Sequence, residues 1–255
     1  MLSMTEIEFH DTLVVTIFVA AALTFVALFF VTAPYGRHLR TGWGPTIPAR
    51  VGWIVMESPA VLLFIAVYSQ GEQAMSTVPL ILLGLWQFHY VYRTFIYPFR
   101  IRSSAKRMPI SIVGTAIVFN CINATINARW ISHLGDYPDS WLGSTPFIVG
   151  VVIFLVGWAI NQHSDTVLFR LRGPGETGYK IPRGGLYRWV SCPNYLGEML
   201  EWVGWAIAAW SLAGLAFAVF TIANLLPRAL ANHRWYQGEF ADYPPERRAV
   251  IPYVL

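Results

Sequence analysis

Residues 52–69 read GWIVMESPAVLLFIAVYS, eighteen positions in which Glu57 is the only charged residue. A run that long and that apolar marks a candidate membrane-spanning helix, because a hydrocarbon core of about 30 Å takes roughly 20 mostly apolar residues. Outward from it, similar runs recur at 12–33, 78–98, 110–132, 145–162, 194–210 and 212–230, with Trp and Tyr at several of their ends. The 255 residues are 55% hydrophobic and 13% charged, too apolar for an ordinary soluble surface. The fold expected is an all-α integral membrane protein of seven transmembrane helices, one polytopic domain over residues 1–255, with no linker or repeat dividing it.

Charge placement gives an orientation. Arg37, Arg40 and Arg50 follow the first run, Arg100, Arg102, Lys106 and Arg107 the third, Arg170, Arg172, Lys180, Arg183 and Arg188 the fifth, and Arg228, Arg234, Arg247 and Arg248 the seventh. The other connections are nearly bare of basic residues, and the N-terminus carries Glu6, Glu8 and Asp11. The positive-inside rule then sets the N-terminus outside or lumenal and the C-terminus in the cytosol. An acidic start and the lack of an A-x-A-like site mean that the first run is retained and not cleaved as a signal peptide. The net charge of +4 is scattered between apolar runs, which fits topology and excludes a nucleic-acid face. Cys121 and Cys192 make no disulfide framework and fall in or beside apolar runs, where thiols are inert. No metal-ligand spacing joins the six histidines, and no strand–Gly-rich turn–helix unit exists to serve as a Rossmann site.

Ionisable residues inside a span cost about 2.5–3.5 kcal/mol at its centre, so Glu57, His89, Arg93, Glu198 and Glu201 each need a reason. The plain alternative for Glu57 is an interhelical ion pair with Arg93 that only holds the bundle together. The third run carries QFHYVYRTFIYP over Gln87–Pro98, with Tyr90 about one turn from Arg93 on the same side. A phenol and a carboxylic acid from neighbouring helices have the makings of a donor pair for one ligand oxygen. Polar chemistry also concentrates in a long segment after the fifth run, about 163–193, and in a polar tail after 230. Its guanidinium groups and glycines suit a phosphate-bearing ligand. A topology-setting basic loop would explain Arg and Lys there but not Asn161, His163, Asp165 and Asn194 at the helix mouths.

These stretches, QHSD, LRGPGETGYKIPRGGLYRWVSCPNYLGEMLEW and the tail HRWYQGEFADYPPERRAVIPYVL, resemble the C-terminal part of the steroid 5-alpha-reductase family, and MESPA and HYVYRTFIYP resemble its substrate-pocket motifs. The likeness runs nearly the full length and suggests a bacterial-type homologue. It implies NADPH-dependent reduction of the 4,5 double bond of 3-oxo-4-ene steroids. Glu57 and Tyr90 correspond to the pair on the 3-keto oxygen, and Asn161, His163, Asp165, Arg172, Tyr179, Asn194, Glu198 and Tyr236 to cofactor-binding positions. Arg107 is the matching choice after the third helix, where the loop RIRSSAKRMP is slightly longer. Met56 and Asn232 depart from the residues usual in the animal enzymes, which bears on steroid preference. Residues 1–132 would then form most of the steroid pocket and 145–255 most of the NADPH site. The protein would act as a monomer among membrane lipids and admit steroid from the bilayer, in a bacterial inner membrane or in the endoplasmic reticulum of a eukaryote. A sterol reductase acting at another double bond and an S-adenosylmethionine-dependent methyltransferase of similar fold are the near alternatives, a proton-coupled transporter or receptor the distant one.

Overall fold

The computed structural model describes residues 4–101, 106–173, 176 and 178–255. Eight α-helices lie among them: α1 Glu6–Phe30, α2 Ala49–Tyr68, α3 Thr77–Val91, α4 Tyr97–Arg100, α5 Ile110–Arg129, α6 Thr145–Arg170, α7 Pro193–Ala209 and α8 Leu212–Glu239. A π-helical turn, Tyr92–Ile96, joins α3 to α4 in one rod, and a second, Trp130–Leu134, extends α5. Among the described residues five helices are long and apolar enough to cross a membrane: α1, α2, α5 with its π turn, α6 and α8. The α3–α4 rod is interrupted, and α7 has 17 residues.

Two boundaries differ from the sequence expectation. The polar segment after the fifth run starts as helix: α6 continues through His163 and Asp165 to Arg170, because the polar residues of its last turns have protein partners and leave the helix intact. The polar tail likewise begins only after Glu239, where α8 ends. The architecture is also not wholly helical. Thr46–Pro48 (β1) pairs antiparallel with Arg107–Pro109 (β2), tying the segment before α2 to the segment before α5.

α1 starts on a capping box, with Thr5 bonded to the Glu8 backbone and the Glu8 carboxylate returning to Thr5. It buries His10, Val14, Ile17 and Ala21, one face at helical spacing, and leaves Leu23, Val26 and Phe30 exposed, as a lipid-facing helix does. The core is aromatic. Trp86 stacks on Phe64 at 4.4 Å and touches Trp202, Trp205 and Phe217. Its indole N–H donates to the Ala60 carbonyl at 2.8 Å, which fixes α3 against α2. α6 and α7 touch backbone to backbone: a Cβ on Gly157 would come within 2.4 Å of the Glu201 nitrogen, and one on Gly197 within 2.5 Å of the Asn161 nitrogen. Only glycine permits that approach, the device by which helices pack without a solvent-driven hydrophobic force.

The termini lie at opposite ends of the bundle. Glu6 pairs with Arg129 and His133 beside the α2–α3 turn. At the other end the tail binds back onto the segment before α7, with Ser191 N–H donating to the Arg248 carbonyl at 2.8 Å and Cys192 N–H to the Ala249 carbonyl at 3.0 Å.

Candidate active site

The end of the bundle that holds the C-terminus contains a cavity of about 890 Å³, near the upper size of small-molecule and cofactor sites. Its wall takes residues from the α1–α2 connection, the first turns of α2, the π turn and α4, β2, the end of α6, the segment before α7, and α7 and α8. Helix ends and connections that are far apart in sequence thus form one chamber.

Its mouth is basic, with Arg37, Arg40, Arg50, Lys106 and Arg107 all on the wall. Arg37 is held among three rings, 5.3 Å from the centroid of Tyr179, 4.7 Å from Trp235 and 4.6 Å from Tyr236. It donates to the Tyr236 hydroxyl at 3.2 Å through Nη2, while Nη1 is buried and among the described residues has no hydrogen-bond partner. Buried guanidinium N–H groups are seldom left unmatched, so an acceptor is expected there. Burial, with Arg172 and Arg37 adding to it, holds the Lys106 ammonium below the usual lysine range. Arg107 donates to the Thr46 side chain at 2.7 Å and to the Thr46 carbonyl at 2.5 Å, so it also braces the β1–β2 pair.

Deeper in, the wall changes character. Arg93 lies 3.6 Å from Glu198 and 4.0 Å from Asp165, with Trp53 and Tyr97 against its guanidinium at 4.7 and 4.4 Å. Asn194 donates to Asp165 at 3.1 Å, and Asn161, behind it, donates to the Asn194 carbonyl at 3.0 Å and to Glu198 at 3.5 Å. The Trp53 indole donates to the Arg93 carbonyl at 3.1 Å, so the π turn has a side-chain partner from α2.

Past Trp53 and Arg93 the same helical stripes continue to Glu57 and Tyr90, which do not belong to the cavity wall. Glu57 forms no ion pair with Arg93, which turns to Glu198 and Asp165 instead; its partner is Asn120 of α5, whose Nδ2 donates at 3.2 Å to Oε2. Tyr90 is 4% exposed, packed against Trp86, His89 and Trp202, and among the described residues its hydroxyl makes no hydrogen bond. Next to it His89 and Glu201, both buried, form a pair at 2.7 Å between α3 and α7. Glu201 is therefore bound to His89, and among the described residues its second oxygen, also buried, has no hydrogen-bond partner.

Of the cofactor positions proposed from sequence, Asp165, Tyr179, Asn194, Glu198, Tyr236 and Arg107 come together on the wall, and Asn161 supports them from behind. His163 is exposed with its ring against Gly185, where an added Cβ would meet it at 2.3 Å. Arg172 lies off the wall, donating to the Gly178 carbonyl at 3.2 Å with Tyr179 beside it. Sequence reasoning missed the α1–α2 connection: Arg37, Arg40 and Arg50 served there only as topology signals. It also missed Asn120. The signal for Asn120 was present, since Asn120, Asn123 and Asn127 fall on one face of an otherwise apolar helix.

Residues 106–255 match the family model described as 3-oxo-5-alpha-steroid 4-dehydrogenase. Over 246 residues the chain is 45% identical to the steroid 5-alpha-reductase DET2 of Arabidopsis thaliana, covering 94% of each. It is 43% identical over 235 residues to 3-oxo-5-alpha-steroid 4-dehydrogenase 1 of Bos taurus, covering 91% of each. With the protein of that name from Homo sapiens it shares 42% over 223 residues, 87% of this chain and 86% of the other.

Proposed function

The chain belongs to the 3-oxo-5-alpha-steroid 4-dehydrogenase family of membrane oxidoreductases, and from that membership we propose that it reduces the 4,5 double bond of 3-oxo-4-ene steroids to 5-alpha-3-oxosteroids with NADPH. One observation carries the reading: the stripes of α2 and α3 lead from a basic, anion-seeking chamber to a partly buried carboxyl and a buried phenol that have no ion pair between them and the basic wall.

The chamber fits a phosphate-bearing dinucleotide. The unmatched Arg37 Nη1, with Arg40, Lys106 and Arg107 on the same wall, would hold its phosphates. Tyr179 and Tyr236 offer ring faces, and Asp165, Asn194 and Glu198 offer donors and acceptors for its uncharged polar groups. When bound, NADPH supplies the hydride that the reduction needs. Glu57 and Tyr90 do the chain's part at the steroid: the carboxyl in its acid form and the phenol together donate to the 3-keto oxygen, where negative charge accumulates as the double bond is reduced. Donors aimed at charge that develops only in the transition state raise turnover instead of merely tightening binding.

Seven crossings, with the α3–α4 rod and α7 as the two that are interrupted or short, would leave the N-terminus outside and the chamber open to the cytosol, where the reductant is. The steroid would enter from the bilayer between helices α1–α5, and the monomer would suffice. The resident membrane follows the host, the inner membrane of a bacterium or the endoplasmic reticulum of a eukaryote. The test is purified protein in detergent given NADPH and a 3-oxo-4-ene steroid. NADPH oxidation that depends on steroid and yields the saturated 5-alpha ketone supports the reading. No oxidation, or a saturated bond elsewhere in the ring system, overturns it.

A further inference from the structure

We infer that Asn120 is a positioning residue that fixes which oxygen of the Glu57 carboxyl carries the proton, and so aims the donating O–H at the substrate. The inference deepens the reading above and rests on Glu57 being the donor.

The geometry starts from α5, which runs beside α2. Asn120 is 5% exposed, and its Nδ2 lies 2.7 Å from the Met56 carbonyl and 3.2 Å from Glu57 Oε2. An amide nitrogen donates two hydrogens and accepts none. The carbonyl of Met56 can only accept, so it fixes the orientation of the amide and places the NH2 group, not the oxygen, toward α2. Both hydrogens then have acceptors, one on the backbone and one on Oε2.

That leaves a definite arrangement on the carboxyl. The carbonyl oxygen of a neutral acid is its better acceptor, so the bond from Asn120 favours Oε2 as the carbonyl oxygen and Oε1 as the oxygen that carries the proton. Among the described residues Oε1 has no hydrogen-bond partner. A carboxyl without Asn120 could place its proton on either oxygen and rotate between two nearly equivalent donors, half of them pointing away from the ligand. The bond from Asn120 biases that choice before substrate arrives, which is preorganisation by a supporting group.

The rival role is purely structural: Asn120 could serve only to tie α5 to the Met56 carbonyl. A double-mutant cycle separates the two, measured as turnover per NADPH-loaded molecule. Asn120→Leu in the otherwise unchanged protein should lower kcat about five- to tenfold, the worth of one buried hydrogen bond, with NADPH affinity unchanged. In the Glu57→Gln background, where no acid proton remains to be placed, the same replacement should cost less than about twofold. Preference for a 3-oxo over a 3-hydroxy steroid in equilibrium binding should fall with Asn120→Leu, and Asn120→Ser, which keeps one donor on a shorter side chain, should lie between. Equal losses in the two backgrounds, or an unchanged 3-oxo preference, would overturn the inference while leaving Glu57 as the donor. Near wild-type turnover of Glu57→Gln alone would overturn both, and that outcome is visible before Asn120 is touched. Should Asn120→Leu fail to load NADPH, the serine variant carries the same cycle.

Discussion

Arg37 and Glu57 are both ionisable side chains withdrawn from bulk water, and their surroundings could hardly differ more. Around Arg37 the wall is cationic and shared by several chain segments, and among the described residues one guanidinium nitrogen has no hydrogen-bond partner. Around Glu57 lie Met56 and Asn120, Arg93 pairs with Glu198 and Asp165 instead, and among the described residues the one side-chain hydrogen bond of Glu57 is to a neutral amide. On the proposed function the first region captures a charged ligand that arrives from water, and the second holds an acid as a donor ready for the substrate. On that reading Coulomb attraction works at the mouth because a mobile anion replaces solvent as partner, whereas at the floor, beyond the cavity wall at Glu57, a permanent ion pair would spoil the donor.

That contrast would break most visibly at Glu57. Glu57→Gln keeps shape and a weaker N–H donor, and should fold and bind NADPH as before while losing about 10²–10³ in turnover, the usual cost of one such donor. Tyr90→Phe should show a related loss, and the double variant less than the product of the two, since both groups act on one oxygen. Normal turnover with a lowered melting temperature in Glu57→Gln would make the floor structural and erase the contrast.

The mouth should respond in affinity and not in chemistry. Arg37→Ala removes a charge-assisted partner of the ligand and should weaken NADPH binding by about ten- to thirtyfold, with kcat at saturation nearly unchanged. If Arg37 serves the 2′-phosphate, the loss for NADH will be smaller and the ratio of the two affinities will fall. If NADPH and NADH weaken equally, Arg37 contacts a part common to both. An unchanged affinity for either would remove it from the site.

The two regions were also unequally legible in the sequence. Spanning helices announce themselves because a bilayer demands long apolar runs, and the placement of α1, α2 and α5 could be read directly. The end of α6 could not, since Ser164 and Asp165 look like loop chemistry until their partners, the Ile160 carbonyl and Asn194, are known. At the floor, a lone carboxylate in an apolar run is conspicuous, so Glu57 stood out. Its partner did not: Arg93 was the nearest opposite charge by composition, and only packing shows that it faces Glu198 while an asparagine faces Glu57. At the mouth, basic residues after a span have a topological explanation ready to hand, and that explanation concealed Arg37. Backbone contact between α6 and α7 was equally silent, because Gly150 and Gly157 on one helix and Gly197 and Gly204 on the other, seven apart in each pair, gain meaning only when the two helices are set against each other.

The smallest expected effect sharpens the comparison on the cationic side. His38 accompanies Arg37 at the mouth, its Nε2 sharing a hydrogen bond with Asn232 Oδ1 at 3.0 Å, and burial first, then Arg37 and Arg228, hold it below the usual histidine range. An anion bound nearby would offset those positive charges and raise it again. A group that is easier to protonate in the complex than in the free protein makes binding take up protons, so affinity must rise as pH falls through the interval between the two values and level off below the lower one. The ligand contributes with the opposite sign, because a 2′-phosphate with a second pKa of about 6 loses charge in the same interval. The informative quantity is therefore the difference between the protein and its His38→Gln variant, titrated with NADPH between about pH 7.5 and 5.5. The unaltered protein should gain about two- to fourfold relative to the variant over that range. Parallel curves would mean that the bound anion lies beyond the reach of His38, and would confine the cationic half of the site to Arg37 and the residues toward β2.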